Sequence, residues 1–102
     1  MSVVDPQARE LVRVYRALGD EMRLRMLRLL AARGEMGCAD LAAELKLSRP
    51  TLSHHTRILQ DCDLIQVRRA GAHRFYRLRR EVLERFAPQV LAGIEPPAGS
   101  QP

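Results

Sequence analysis

The sequence predicts a mainly α fold carrying one small β-hairpin, in the order α-α-α-α-β-β-α. Three observations lead there. Apolar residues return every three or four positions from Pro6 to Asp61, which is the period of a helix with one buried face. After Leu64 the period changes to alternation, in two short runs separated by a glycine, which is the pattern of a hairpin. The chain has 102 residues, enough for one core and too few for two.

Each element follows from local chemistry. Ala8, Leu11, Val14, Tyr15 and Leu18 form one stripe of a first helix, with Asp5 as its cap, Pro6 in its first turn and Gly19 as its break. Asp20 caps a second helix, whose expected core face is Met22, Met26, Leu29 and Leu30 and whose stop is Gly34. Arg23, Arg25 and Arg28 point mostly outward. A third helix runs from about Cys38 to Leu45 with Leu41, Ala42 and Leu45 inward. After the short link Leu47-Ser48, a fourth helix reaches about Asp61. Leu64 to Val67 and Arg74 to Leu78 are the two strands, with the tip over Arg68 to Ala72. The last helix covers about Glu81 to Leu91, and Pro88 should kink or shorten it. These elements place one domain over residues 1–92, followed by a Pro-, Gly- and Ser-rich tail over 93–102 that is expected to be disordered.

The charge distribution is the first pointer to function. The formal net charge is +5, yet residues 48–80 alone hold eight arginines against Asp61 and Asp63. A positive field confined to one third of the chain suits a polyanion. The N-terminus lacks a basic flank followed by an apolar core, and no apolar run is long enough for a bilayer, so the expected compartment is the cytoplasm, at the nucleoid.

Two short helices joined by a tight turn, the second opening on hydroxyl residues, follow the plan of a helix-turn-helix. On the fourth helix, Leu52, Thr56 and Leu59 share the inward stripe and Cys62 continues it. Arg49, Ser53, His54 and Arg57 fall on the opposite one, where every side chain can donate a hydrogen bond and none is acidic. Ser48 and Thr51 sit at the positive end of the helix, which suits a phosphate. The hairpin adds Arg68, Arg69, His73 and Arg74 as a basic wing. The expected partner is double-stranded DNA, read by residues 48–61 and gripped by the wing 66–77. Arg49 is the strongest candidate for a base contact, through its fork to guanine. An alternative function for the same fold is a protein–protein interaction module or accessory subunit, which would not need the donor-rich stripe.

The segments ALGDEMRLRMLRLL, ADLAAELKLSRPTLSHHTRIL and LIQVRRAGAHRFYRL, in this order and spacing, resemble the ArsR/SmtB family of small winged helix-turn-helix repressors. The resemblance covers about residues 12 to 80. It implies a homodimer that binds a palindromic operator and represses transcription. It also implies that the first and last helices build the dimer interface, here through Leu11, Val14, Tyr15, Leu18, Val82, Phe86 and Val90. Two residues depart from the family pattern: Thr56 stands where Leu is usual, and Asp63 where Gly is usual. Asp tolerates a left-handed helix stop better than most residues.

No metal site is expected. The family's paired thiolates fall at Gly37 and Ala39 here, with Cys38 between them, and the last helix has neither Asp nor His. No cofactor is expected either, and the inducer is left open. Cys38 and Cys62 lie on predicted core faces and read as small buried hydrophobes, with thiol sensing as the alternative. His54 and His55 point about 100° apart on a helix, so they do not converge on one metal. With no pocket holding a nucleophile and an orienting carboxylate, no catalytic residue is assigned and the chain is not expected to be an enzyme. His54 is directed to DNA. His55, nearer the core boundary, either buttresses the helix or touches a phosphate.

Overall fold

A computed structural model describes residues 5–97, so part of the expected tail, residues 98–102, lies outside it. Helix α1 (Pro6–Leu18) begins where the Asp5 carboxylate accepts the Ala8 N–H at 2.7 Å, and it ends at Gly19. Asp20 caps α2 (Glu21–Arg33) by accepting the Arg23 N–H at 3.0 Å. Gly34, at φ 86°, ends α2 in a conformation that a side chain would strain. Helices α3 (Cys38–Leu45) and α4 (Arg49–Asp61) follow, then a hairpin and α5 (Arg80–Phe86). The fold is mainly α with a winged helix-turn-helix order, as the periodicity predicts.

The hairpin strands are longer than their sequence signal. With the strand β1 (Met36–Gly37) ahead of α3, the hairpin consists of β2 (Ile65–Ala70) and β3 (His73–Leu78), and the sheet order is β1-β3-β2. Residues 68–70, expected in the tip, belong to β2, and Ala70 pairs with His73 across a two-residue loop. Beyond Val67 both faces of β2 are exposed, so no apolar alternation marks it. Gly71 has φ 62° and is the first of the two loop residues, the glycine-first arrangement of a type II′ hairpin. Strand β1 is absent from the expected order because two residues carry no period. It forms because Met36 pairs with Tyr76, and both side chains are buried.

All four N-terminal helices contribute to one core, in which Val14, Met26, Leu41, Leu52 and Tyr76 are essentially inaccessible. On α2 the buried stripe is Met26, Leu27, Leu30 and Ala31, while Met22 and Leu29 are only partly covered. Apolar side chains lie on nearly every side of this helix, so periodicity alone does not pick its inner face. The last helix is shorter than its apolar stripe: α5 ends at Phe86, and Pro88 opens a 3₁₀ turn over Pro88–Leu91. Proline lacks the N–H that would continue α5. Residues 93–97 carry no regular element, and Ile94 in this stretch is partly covered.

Candidate nucleic-acid interface

The turn between α3 and α4 is set by a left-handed residue. Lys46 at φ 57° lets the Leu47 N–H reach back to the Ala42 carbonyl at 2.9 Å, which closes α3 and turns the chain sharply. Ser48 then caps α4: its hydroxyl oxygen accepts the Thr51 N–H at 3.3 Å while its O–H donates to Thr51 Oγ1 at 2.9 Å. Loss of that cap costs about 1 kcal/mol. Ser48→Ala should therefore lower the urea midpoint without changing the slope of the transition. An unchanged midpoint would show the cap to be dispensable.

Burial of Leu52, Thr56 and Leu59 orients α4, with Cys62 buried just beyond it. Thr56, unusual at this position, satisfies its hydroxyl by donating to the Ser53 carbonyl at 3.2 Å. Asp63 adopts φ 61°, the left-handed stop expected of it. Arg49, Thr51, His54 and Arg57 are left exposed and Ser53 half-buried. His55 is turned the other way: its side chain is 12% exposed, with Nδ1 lying 3.3 Å from Arg23 Nη1 and 3.8 Å from Asp20 Oδ2. Both of these neighbours belong to the start of α2.

The wing cations are not equivalent. Arg68 makes a two-toothed contact with Glu35, at 2.7 and 3.1 Å, and lies 4.5 Å over the Phe75 ring. Hydrogen bonding from Arg68 holds the Glu35 carboxyl below its ordinary range, with the Arg68 and Arg77 charges adding to the effect. Arg69 sits directly opposite Arg74 in the ladder, a like-charge pair that destabilises a bare hairpin. Among the described residues neither has an ion-pair partner within 4 Å. His73 is exposed at the base of the loop, beside Phe75. Two residues bear on this face without having been picked out in the sequence: Glu35, which occupies Arg68, and Arg77, a further exposed cation on β3. The alternating faces of β3 were the available signal for Arg77. Nothing local marked Glu35, which is 33 residues from Arg68.

The two cysteines differ. Cys62 is buried, and desolvation raises its thiol pKa, which makes it a core residue and a poor nucleophile. Cys38 is half-exposed at the start of α3, with Arg49 Nη1 at 3.5 Å from its sulfur, so it is not fully on a core face.

The residues assigned to a dimer surface separate into three groups. Leu11 and Tyr15 are 41% and 47% exposed, and Val12, absent from the expected set, is 46% exposed. Val14 and Leu18 face the protomer's own core and offer no surface. Val82, Phe86 and Val90 are partly buried. The Tyr15 hydroxyl donates to the Phe86 carbonyl at 2.9 Å, tying α1 to the end of α5.

Among the described residues no helix is long and apolar enough to cross a membrane. Residues 20–67 match the family described as bacterial regulatory protein, arsR family. The chain is 40% identical over 63 residues to an uncharacterised helix-turn-helix transcriptional regulator of Methanocaldococcus jannaschii, covering 62% of this chain and 71% of that one. It is 38% identical over 76 residues to the arsenical resistance operon repressor of Staphylococcus xylosus, covering 74% and 72% of the two chains. In structure it is similar to the homodimeric winged helix-turn-helix DNA-binding domain of a possible ArsR-family regulator from Mycobacterium bovis. The TM-score is 0.73 at 31% identity, over 90% of this chain and 89% of that one. The chain belongs to the ArsR family of bacterial regulatory proteins and is a winged helix-turn-helix transcriptional regulator.

Proposed function

We propose that the chain acts as a homodimeric repressor, working in the cytoplasm at the nucleoid, that reads a palindromic operator with α4 and grips the flanking DNA with its wing. The observation that carries this reading is the exposed, acid-free row Arg49, His54 and Arg57 on a helix whose other face is locked into the core. Thr51 and Ser48 at its N-terminus add phosphate contacts, and Ser53 adds a half-buried hydroxyl. The exposed apolar face of α1 supplies the dimer surface that places two such helices on successive half-sites. The relative from Staphylococcus xylosus is named a repressor and the structural neighbour a homodimer, and both support the reading. The thiolate positions of metal-sensing relatives are Gly37 and Ala39 here, so release from DNA is assigned to a signal other than a metal at those two positions.

The wing supplies a test of the DNA contacts. Arg69→Ala or Arg74→Ala removes one phosphate contact per protomer. The slope of log affinity against log salt should therefore flatten by about 1.8 per dimer, at about 0.9 for each contact. Arg68→Ala should change the slope much less, because its guanidinium is committed to Glu35 and Phe75. Measured by anisotropy on a fluorescent duplex over a salt series, a larger flattening in Arg68→Ala than in Arg69→Ala would reverse the assignment.

A further inference from the structure

Behind the reading helix, three elements meet at one side chain. Arg23, in the first turn of α2, donates from Nε to the Ala17 carbonyl at 2.7 Å and from Nη2 to the Arg16 carbonyl at 3.2 Å. Those are end carbonyls of α1, lying at the negative end of its dipole, and the Arg16 carbonyl also accepts the Gly19 N–H at 3.2 Å. The remaining Nη1 lies 3.3 Å from Nδ1 of His55 on α4. A guanidinium has donors only, so Nδ1 must be the acceptor, with the ring neutral and its hydrogen on Nε2. As a hydrogen bond, the contact requires both that charge state and that tautomer.

We propose that Arg23 is a positioning residue for DNA binding: anchored on the end of α1, it holds α4 at its working height through neutral His55, and a proton on His55 releases the helix. The inference rests on the reading that α4 meets DNA. Once protonated, Nδ1 becomes a donor and faces the guanidinium as a like charge. Its available partner is then Asp20 Oδ2 at 3.8 Å, which already accepts the Arg23 N–H. The charged or titratable groups facing His55 are Asp20 and Arg23 from the start of α2 and His54 on its own helix, whose ring centroid is 5.4 Å away. From α1 only the backbone carbonyls held by Arg23 take part. Burial, first, and then the Arg23 and His54 charges hold the His55 pKa below its ordinary 6.5, against the opposing pull of Asp20. The unfolded chain therefore takes up this proton first. The stability due to the neutral ring is complete above about pH 6.5 and is lost as pH falls through the folded-state pKa.

The test uses the full chain and a fluorescein-labelled duplex selected from a random library by the wild-type protein at alkaline pH. Wild-type affinity is expected to fall on the order of tenfold between about pH 8 and about pH 5.5. In His55→Asn, whose Oδ1 can accept from Arg23 and does not titrate, alkaline affinity should be kept and the fall should disappear. Arg23→Met should bind weakly at both pH values. Affinity that stays flat or rises on acidification in the wild type, or a fall that persists in His55→Asn, overturns the proposal. Long-range proton–nitrogen NMR spectra of free wild-type protein give a readout without DNA and without a variant: the Nε2–H tautomer is expected, and an Nδ1–H tautomer overturns the strut. If Arg49→Ala leaves affinity for the selected duplex unchanged, the assignment of α4 to DNA fails, and the tautomer still decides whether the strut exists.

Discussion

Replacing Leu11 and Tyr15 together by aspartate is expected to leave a folded monomer that has lost operator affinity by about 10²- to 10⁴-fold. The magnitude is that of bivalency: two reading helices on one rigid dimer make the second contact intramolecular, and separating the protomers removes that advantage without touching a DNA contact. Both side chains are more than 40% exposed in the protomer, so carboxylates there meet water while the subunits are apart and would be buried if they associated. The cost to the protomer is small, the main loss being the Tyr15 hydroxyl bond to the Phe86 carbonyl, about 1 kcal/mol. Sedimentation equilibrium with circular dichroism checks both parts. A double variant that still sediments as a dimer would move the interface away from this face of α1.

Arg49→Ala is expected to remove most of the discrimination between operator and random duplex. A bidentate contact to guanine is worth about 1–3 kcal/mol, and it occurs twice per dimer, so the loss is about 2–6 kcal/mol. Binding to random duplex should change little beyond the salt-dependent share of one charge per protomer. Folding should be unaffected within about 0.5 kcal/mol, because the side chain is exposed and its nearest polar contact is a weak one to the Cys38 sulfur at 3.5 Å. His54→Ala should shift specificity in the same direction by less, since imidazole is a less selective reader than guanidinium. Competition titrations with specific and random duplex separate the two quantities. If Arg49→Ala and His54→Ala both kept wild-type specificity, α4 would not be the reading helix.

Arg23 and Glu35 join these surface residues into one working face. Arg23 fixes α4 from behind through His55, and Glu35 fixes the wing from behind through Arg68. In both places an arginine that composition alone would count toward DNA binding is engaged by another side chain of the same protein, Arg23 partly buried and Arg68 at the surface. Besides Arg68, the exposed arginines on these two elements are Arg69, Arg74 and Arg77 on the wing and Arg49 and Arg57 on the helix. Opposing Arg69 to Arg74 makes physical sense when a polyanion lies between the wing and solvent. In its absence the pair only weakens the hairpin.

The sequence by itself determined the helical order, the caps at Asp5, Asp20 and Ser48, the stops at Gly19, Gly34 and Asp63, and the two faces of α4. These depend on contacts within three or four residues, so the chemistry that sets them is adjacent in the chain. It also located the excess positive charge. Tertiary structure alone decided which arginines are already engaged, because Glu35 meets Arg68 and Arg23 meets His55 across 33 and 32 residues. It decided, too, that Val14 and Leu18 serve the protomer's core while Leu11, Val12 and Tyr15 stay exposed. A stripe of apolar residues identifies a helix that packs against something. Whether the neighbour is the same chain or another depends on where α2 and α5 come to lie, and no local period encodes that.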